Sequence, residues 1–204
     1  MKLSAIKQSF EGKVRAVRRR LGQRNRLQEL VQQGVVEIGP HTYGAPRVDI
    51  YKGSPARVVI GPYCSISRGV VLVTGGVHPV AWVSTYPFRI KWDMPGAYRD
   101  GTPETRGDIR IGPDVWIGTD AMIMSGVTVG PGAIIAARSV VTRDVPAYGL
   151  VVGVPAKLVR HRFSDAQIES LLKIQWWNWP EEKVRDAVPL LCSSNIDDFI
   201  GRYQ

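Results

Sequence analysis

The sequence predicts a mainly β protein, a left-handed parallel β-helix with helices at both ends, and three observations support this fold. A period of six residues runs through the middle of the chain, and a helical pattern lies on either side of it. Each six-residue unit opens with an aliphatic residue, and the longest run opens at Ile111, Ile117, Ile123, Val129, Ile135, Val141 and Ala147. Three units make one triangular coil of about 18 residues with the opening residues inward, and the coils stack into a prism.

Residues 1–34 are predicted to form a basic amphipathic helix that ends near Gly34. Its apolar positions are separated by three or four residues: Leu3, Ile6, Phe10, Val14, Val17 and Leu21. Residues 1–30 hold nine Lys and Arg residues but only two Glu, within a net charge of +9. A cationic face opposite an apolar stripe is typical of a helix that lies on an anionic membrane. Two interpretations stay open: peripheral membrane contact through residues 1–30, or packing of the stripe on the prism or on a neighbouring subunit.

Residues 35–162 are assigned to the β-helix domain, and one segment inside it lacks the six-residue period. This segment, residues 73–109, is rich in Gly, Pro, Trp and Tyr. A long loop inside a compact domain is usually functional. We therefore expect the active site to include this loop.

Residues 163–204 are predicted to form a C-terminal helical segment. Ser164 and Gln167 have the spacing of a capping box, which predicts a helix start, and Pro180 suits the first turn of a second helix. Three tryptophans lie between these two helices: Trp176, Trp177 and Trp179. We expect them to pack over the open end of the prism.

Composition excludes several classes of protein. The two cysteines, Cys64 and Cys192, lie far apart and are not part of a metal-ligand cluster, so neither a zinc site nor a disulfide framework is predicted. The sequence lacks an apolar run long enough for a membrane span or a signal peptide. A cytoplasmic location is expected, with peripheral attachment to the inner face of the membrane if the basic helix binds lipid.

His78 is the one histidine of three that falls in the predicted loop. Imidazole is the natural general base near neutral pH, and a base of this kind must be presented to a substrate. A lone histidine is more often structural than catalytic, but its place in the long loop favours catalysis.

Four stretches of the sequence, one of which begins at His78, together resemble a known family. They are His78–Phe88, Asp114–Gly118, Gly153–Lys157 and the tail from Arg162 to Pro180. They are similar to the catalytic loop, the next landmark, the coenzyme A loop and the C-terminal tail of hexapeptide-repeat xenobiotic acetyltransferases. That group includes type B chloramphenicol and streptogramin acetyltransferases and related sugar O-acetyltransferases. The neighbours of His78 depart from the family pattern, because Val77 and Pro79 stand where polar residues are common.

The resemblance implies a mechanism and an assembly. It implies direct transfer of an acetyl group from acetyl-CoA, without a metal, to a hydroxyl group that His78 deprotonates. The backbone N–H of Thr119 would stabilise the oxyanion. Residues that match the coenzyme A site are Trp116, Gly118, Ala137, Thr142, Arg143, Lys157 and Arg160. Candidate acceptor contacts are Tyr43, Tyr51 and Tyr86. The family forms homotrimers with active sites between subunits.

The acceptor and several alternatives stay open. A sugar, a glycoconjugate or a chloramphenicol-like small molecule all fit, as do an amino sugar acetylated on nitrogen and an acyl group longer than acetyl. The basic helix has no interleaved aromatic residues, so no nucleic-acid partner is expected. A γ-type carbonic anhydrase needs three zinc-binding histidines, two of them closely spaced, which this sequence lacks. A non-catalytic β-helix scaffold would leave His78, Trp116 and Lys157 unexplained.

Overall fold

The computed structural model describes residues 22–204. The strands are β1 Val36–Ile38, β2 Arg47–Asp49, β3 Val58–Ile60, β4 Ser65–Ile66, β5 Val71–Val73, β6 Ile109–Ile111, β7 Trp116–Ile117, β8 Met122–Met124, β9 Thr128–Val129, β10 Ile134–Ile135, β11 Val140–Val141, β12 Gly149–Gly153 and β13 Ala156–His161. The helices are α1 at residues 22–32, α2 Phe88–Lys91, α3 Asp165–Ile174, α4 Glu181–Leu191 and α5 Ile196–Tyr203, with a 3₁₀ turn at Trp176–Asn178.

The strands form three sheets that the chain visits in rotation. Sheet A has the order β1-β3-β6-β9, sheet B has β13-β12-β10-β7-β4, and sheet C has β11-β8-β5-β2. From β3 to β11, consecutive strands belong to A, B and C in turn, and neighbours within each of these sheets are parallel. Trp116 pairs with Ile134, and Met122 pairs with Val140, so one coil is 18 residues long. The three-sided coil predicted by the six-residue period is therefore confirmed.

The opening aliphatic residues of the first six units are buried as predicted, but the prediction for the seventh unit is wrong. Each unit also buries the residue two positions before its opening, such as Val115 and Ala121, so it sends two side chains inward. Ala147 was expected to point inward, but it is only partly buried, and Val145 occupies the inward position paired with Val129. The last coil is therefore two residues shorter than the 18-residue coils directly before it. After it, β13 turns back antiparallel to β12, a hairpin that the period does not predict.

The loop lies between β5 and β6, at residues 74–108. Its two ends are tied together close to the prism. The N–H of Glu104 donates to the carbonyl oxygen of Val77 at 2.8 Å, and the Thr105 hydroxyl donates to the carbonyl oxygen of Thr74 at 2.6 Å. The Thr74 hydroxyl donates in turn to the carbonyl oxygen of Asp49 in the coil below, at 2.8 Å. These bonds fix the points at which the loop leaves and rejoins the prism.

The C-terminal helices pack along one edge of the prism rather than over its open end. The capping box of Ser164 and Gln167 starts α3 as predicted. Phe163, just before α3, contacts Tyr148 of the last coil, whereas Trp176, just after it, contacts Tyr63 three coils away. Ten helical residues span about 15 Å, and three steps between stacked strands span about 14 Å, so the two lengths match. The tryptophans do pack, as expected, but their predicted place was wrong.

A partly buried polar cluster joins the C-terminal segment to this edge of the prism. Arg162 donates to the carbonyl oxygen of Gly132 at 2.7 Å, lies 3.5 Å from the carboxylate of Asp114, and stacks against the Tyr148 ring. Burial raises the pKa of the Asp114 carboxyl, and the nearby Arg162 charge only partly opposes this effect. Among the described residues, the buried Tyr148 hydroxyl has no hydrogen-bond partner.

The described part of the N-terminal helix packs on the prism. Leu27 and Leu30 of α1 are buried in the same core cluster as Val36 and Val58. The apolar stripe from Leu3 to Leu21 lies outside the described residues, so membrane contact through residues 1–30 stays a prediction. None of the helices within residues 22–204 is long and apolar enough to cross a membrane.

Candidate active site

His78 lies at the start of the loop, directly after the backbone bonds that join the two loop ends. The preceding residue, Val77, forms an antiparallel bridge with Glu104. The side chain of His78 is exposed, and its Nδ1 lies 2.5 Å from the carbonyl oxygen of Thr85. A carbonyl oxygen can only accept, so Nδ1–H donates this bond, and in the neutral imidazole the lone pair is then on Nε2. The loop thus holds the imidazole in the tautomer and orientation that a general base requires.

Tyr51 supports the backbone immediately before His78. Gly76 has a φ of +82°, and a Cβ placed on it would collide with the Tyr51 ring. The ring therefore packs directly against the glycine backbone, two residues from the imidazole. Tyr51 was predicted to contact the acceptor, and the structure gives it a contact with the segment that leads to His78.

Replacing Gly76 by Ala should lower kcat about tenfold, because small displacements of a catalytic group are costly. The added methyl group forces apart the Tyr51 ring and the backbone that leads to His78. The matched control is Gly107→Ala, which also has a positive φ, +105°, but meets no atom within 4 Å. Steady-state kinetics of both variants check this prediction. An equal loss of kcat in the two variants would show that backbone strain, and not the Tyr51 contact, causes the loss.

A row of residues crosses the outer face of sheet B. Tyr43 bridges to Ser65, Ser65 pairs with Trp116, and Trp116 pairs with Ile134. Ile134 pairs with Leu150, and Leu150 pairs with Arg160 on β13. Trp116 and Arg160 are therefore three strands apart, about 14 Å at the usual strand spacing. The structure places three predicted contacts, Tyr43, Trp116 and Arg160, on one face, and Lys157 lies exposed on the same hairpin as Arg160.

Gly118, Thr119 and Ala137 lie together at the corner between sheets B and C. A Cβ on Gly118 would lie 2.5 Å from the backbone nitrogen of Ala137 in the next coil, so only glycine fits there. The N–H of Arg138 donates to the carbonyl oxygen of Thr119 at 2.8 Å. The N–H of Thr119 itself donates no hydrogen bond within residues 22–204. The corner thus offers a free amide beside a close-packed backbone.

The remaining predicted cofactor residues lie apart from this corner. Thr142 and Arg143 follow β11, at the corner between sheets C and A. Of the cations, Arg143, Lys157 and Arg160 are exposed and form no ion pair with a described acidic residue. The loop with His78 leaves from sheet C, and among the described residues no hydrogen bond or ion pair joins His78 to the row on sheet B.

The loop lines an open cavity of about 220 Å³. Tyr86, a predicted acceptor contact, lines it and packs against Phe88, with ring centroids 4.8 Å apart. Sequence reasoning missed its polar residues, Asp100 and Thr102, because they belong to no motif. It also missed the role of Thr85, whose backbone oxygen rather than its side chain contacts His78. The described residues contain no group of three or more side chains suited to hold a metal.

Comparison with known proteins identifies relatives. A family model described as bacterial transferase hexapeptide (six repeats) matches residues 108–143. A chloramphenicol acetyltransferase from Morganella morganii is 44% identical over 144 residues, covering 69% of this chain and 68% of the relative. A probable macrolide acetyltransferase from Lysinibacillus sphaericus is 40% identical over 152 residues, covering 72% and 84%. A hexapeptide-repeat acetyltransferase structure from Vibrio cholerae shows 30% identity and a TM-score of 0.49, and the match covers 64% of each chain.

Proposed function

Since the chain belongs to the hexapeptide-repeat acyltransferases that include the chloramphenicol acetyltransferases, we propose that it transfers an acetyl group from acetyl-CoA to an acceptor hydroxyl, with His78 as general base. Membership makes it an acyltransferase. The acceptor class is a sugar, a glycoconjugate or a chloramphenicol-like small molecule. The coil is taken to wind left-handedly, as the six-residue period predicts.

The bond from His78 Nδ1–H to the carbonyl oxygen of Thr85 is the observation that supports this proposal best. It leaves Nε2 as the basic atom. In the proposed step, Nε2 takes the proton of the acceptor hydroxyl while the hydroxyl oxygen attacks the thioester carbonyl carbon. The carbon–sulfur bond then breaks, and the proton held on Nε2 passes to the departing thiolate. The products are the acetylated acceptor and coenzyme A, and the imidazole returns to its starting state.

The free N–H of Thr119 supports a role in stabilising negative charge on the thioester oxygen. An amide without a partner in the free protein can donate to an oxygen that gains charge during the reaction. Because Thr119 N–H is fixed by the close packing of Gly118 on Ala137, it needs little reorganisation when the charge develops.

The predicted coenzyme A contacts fit an extended, anionic co-substrate. Trp116 is half exposed and Gly118 adds no side-chain bulk, which suits a pantetheine chain lying close to the backbone. Lys157 and Arg160 are exposed cations that form no ion pair with an acidic residue in the described part of the chain, which suits the 3′-phosphate. Thr142 and Arg143, on a different corner, would reach the same molecule only if it follows the prism edge or meets a second subunit.

A homotrimer would join these parts into one site. Within one chain, His78 belongs to a loop that leaves sheet C, whereas the row from Tyr43 to Arg160 lies on sheet B. In a cyclic assembly, the loop of one subunit can lie over sheet B of the next, so that each active site uses two subunits. This arrangement is the one that the family resemblance implies.

A thiol-release assay tests the proposed activity. The full chain is incubated with acetyl-CoA and, separately, with sugars, nucleotide sugars, amino sugars and chloramphenicol. The proposal expects coenzyme A release that depends on an acceptor hydroxyl, with an O-acetyl product. Release that depends on an amino group alone would replace O-acetylation by N-acetylation, and no release with any acceptor would contradict the proposal.

A further inference from the structure

We propose that the cavity inside the loop binds one sugar ring of the acceptor, next to the site where the hydroxyl reacts. This inference rests on the proposed function, because it concerns the acceptor of that reaction. It assigns the sugar class among the acceptors left open above, and it gives Thr102 and Asp100 a role in specificity.

The cavity adjoins the catalytic base without including it. Ser84 and Tyr86 line the cavity, and Thr85 between them accepts the bond from His78 Nδ1. His78 itself does not line the cavity. A group bound in the cavity is therefore held beside the base, and the reacting hydroxyl lies outside it. That relation is expected of a pocket that selects the acceptor and aligns it for reaction.

The size of the cavity suits one ring. Its volume is about 220 Å³, below the roughly 300–1,000 Å³ of pockets that enclose a drug-sized ligand. A cavity of this volume suits a single ring of a larger acceptor. The rest of the acceptor would extend toward His78 Nε2.

The polar side of the cavity has unused hydrogen-bonding capacity. Thr102 is only 4% exposed, and its hydroxyl has no partner within the described part of the chain. Asp100 accepts from Arg89 at 3.0 Å on one oxygen and from the N–H of Thr102 at 3.2 Å on the other. A carboxylate has about four acceptor positions, so each oxygen can accept one more bond.

The groups that hydrogen-bond to Asp100 favour its ionised form. Desolvation opposes ionisation, but the hydrogen bonds from Arg89 and Thr102 outweigh it and lower the pKa of Asp100 below its ordinary value. A carboxylate that stays ionised accepts hydrogen bonds from ligand hydroxyl groups, and the Thr102 hydroxyl can donate to or accept from a neighbouring one.

The apolar side of the cavity consists of aromatic rings. Trp82, Tyr86 and Phe88 line it, and Tyr86 and Phe88 pack edge to face. Aromatic faces fit the apolar C–H faces of a sugar ring, while the carboxylate and the hydroxyl fit its hydroxyl groups. A nitrophenyl ring would fill the aromatic side but would leave the buried Thr102 hydroxyl without a partner, which is costly for a buried polar group.

Thr102→Val is the variant that separates binding from structure. Valine has the same shape as threonine and lacks the hydroxyl that has no partner, so folding stability should be unchanged or higher. The matched control is Tyr148→Phe, which removes the other buried hydroxyl without a partner, at the distant edge held by Arg162. Melting temperatures of both variants at or above the native value are the expected result.

Ligand-observed NMR of the full chain, without acetyl-CoA, then measures binding of a panel of methyl pyranosides and of 4-nitrobenzyl alcohol. We expect at least one pyranoside to bind, with a Kd about three- to tenfold higher in Thr102→Val and unchanged in Tyr148→Phe. The inference is overturned if no pyranoside binds, if Thr102→Val leaves the Kd unchanged, or if only the nitrobenzyl probe competes for the cavity. Because no acetyl transfer is measured, failure here leaves the proposed reaction intact, and a failed transfer assay leaves the binding result intact.

Discussion

Replacing His78 by Ala lowers turnover by about 10²–10⁴-fold, which is the usual contribution of a general base. The protein should still bind acetyl-CoA with near-native affinity, because none of the predicted coenzyme A contacts belongs to the loop that carries His78. Steady-state rates and calorimetric binding of acetyl-CoA check both parts.

Two further variants make this result specific. His78→Asn keeps an N–H that can donate to the carbonyl oxygen of Thr85 but has no basic nitrogen, so it should be as inactive as His78→Ala while the loop stays in place. His41→Ala removes an imidazole that stacks on Tyr63, at the edge where Trp176 packs, and should keep near-native turnover. Native turnover in His78→Ala or His78→Asn would remove His78 as the base.

Loss of both Lys157 and Arg160 should weaken coenzyme A binding about 10–150-fold, because charge-assisted hydrogen bonds contribute about 1.5–3 kcal/mol. Both residues are exposed on β13 and have no acidic partner among the described residues. The double Ala variant should bind coenzyme A more weakly but should bind 3′-dephospho-coenzyme A almost as well as the native chain does.

The control for this prediction removes the same charge elsewhere. Lys173→Ala with Arg185→Ala removes two cations from the C-terminal helices, where they pair with Glu169 and Glu181. This control should not change the Kd of either cofactor. Equal losses for coenzyme A and its dephospho form in the β13 variant would show that these cations do not recognise the 3′-phosphate.

The repeat explains why so much of the prism could be predicted from sequence. The coils between β6 and β11 share an 18-residue spacing, so their inward positions follow from one count, as Ile117 and Ile135 show. The count fails at Ala147 because the last coil is two residues shorter, and this shift appears only when Val145 pairs with Val129. The path of the C-terminal helices could not be predicted either, because it depends on the match between the length of α3 and the height of three coils.

The loop shows the limit of motif reasoning. Its position follows from the loss of the period, and His78 follows from its chemistry. Thr85 orients His78 through a backbone atom, and Asp100 takes its place in the cavity through contacts made only after folding, so neither could be found from a motif. Val77 departs from the family pattern, yet its contribution here is a backbone bridge to Glu104, which does not require a polar side chain.

Direct transfer without a covalent enzyme intermediate distinguishes a base at His78 from a nucleophile. Intact mass spectrometry of the full chain after incubation with acetyl-CoA alone, followed by addition of an acceptor found in the thiol-release assay, measures where the acetyl group resides. We expect the protein mass to be unchanged before and after addition, with one acetyl group on an oxygen of the acceptor. An acetylated protein that passes its acetyl group to the acceptor would contradict the mechanism proposed for His78.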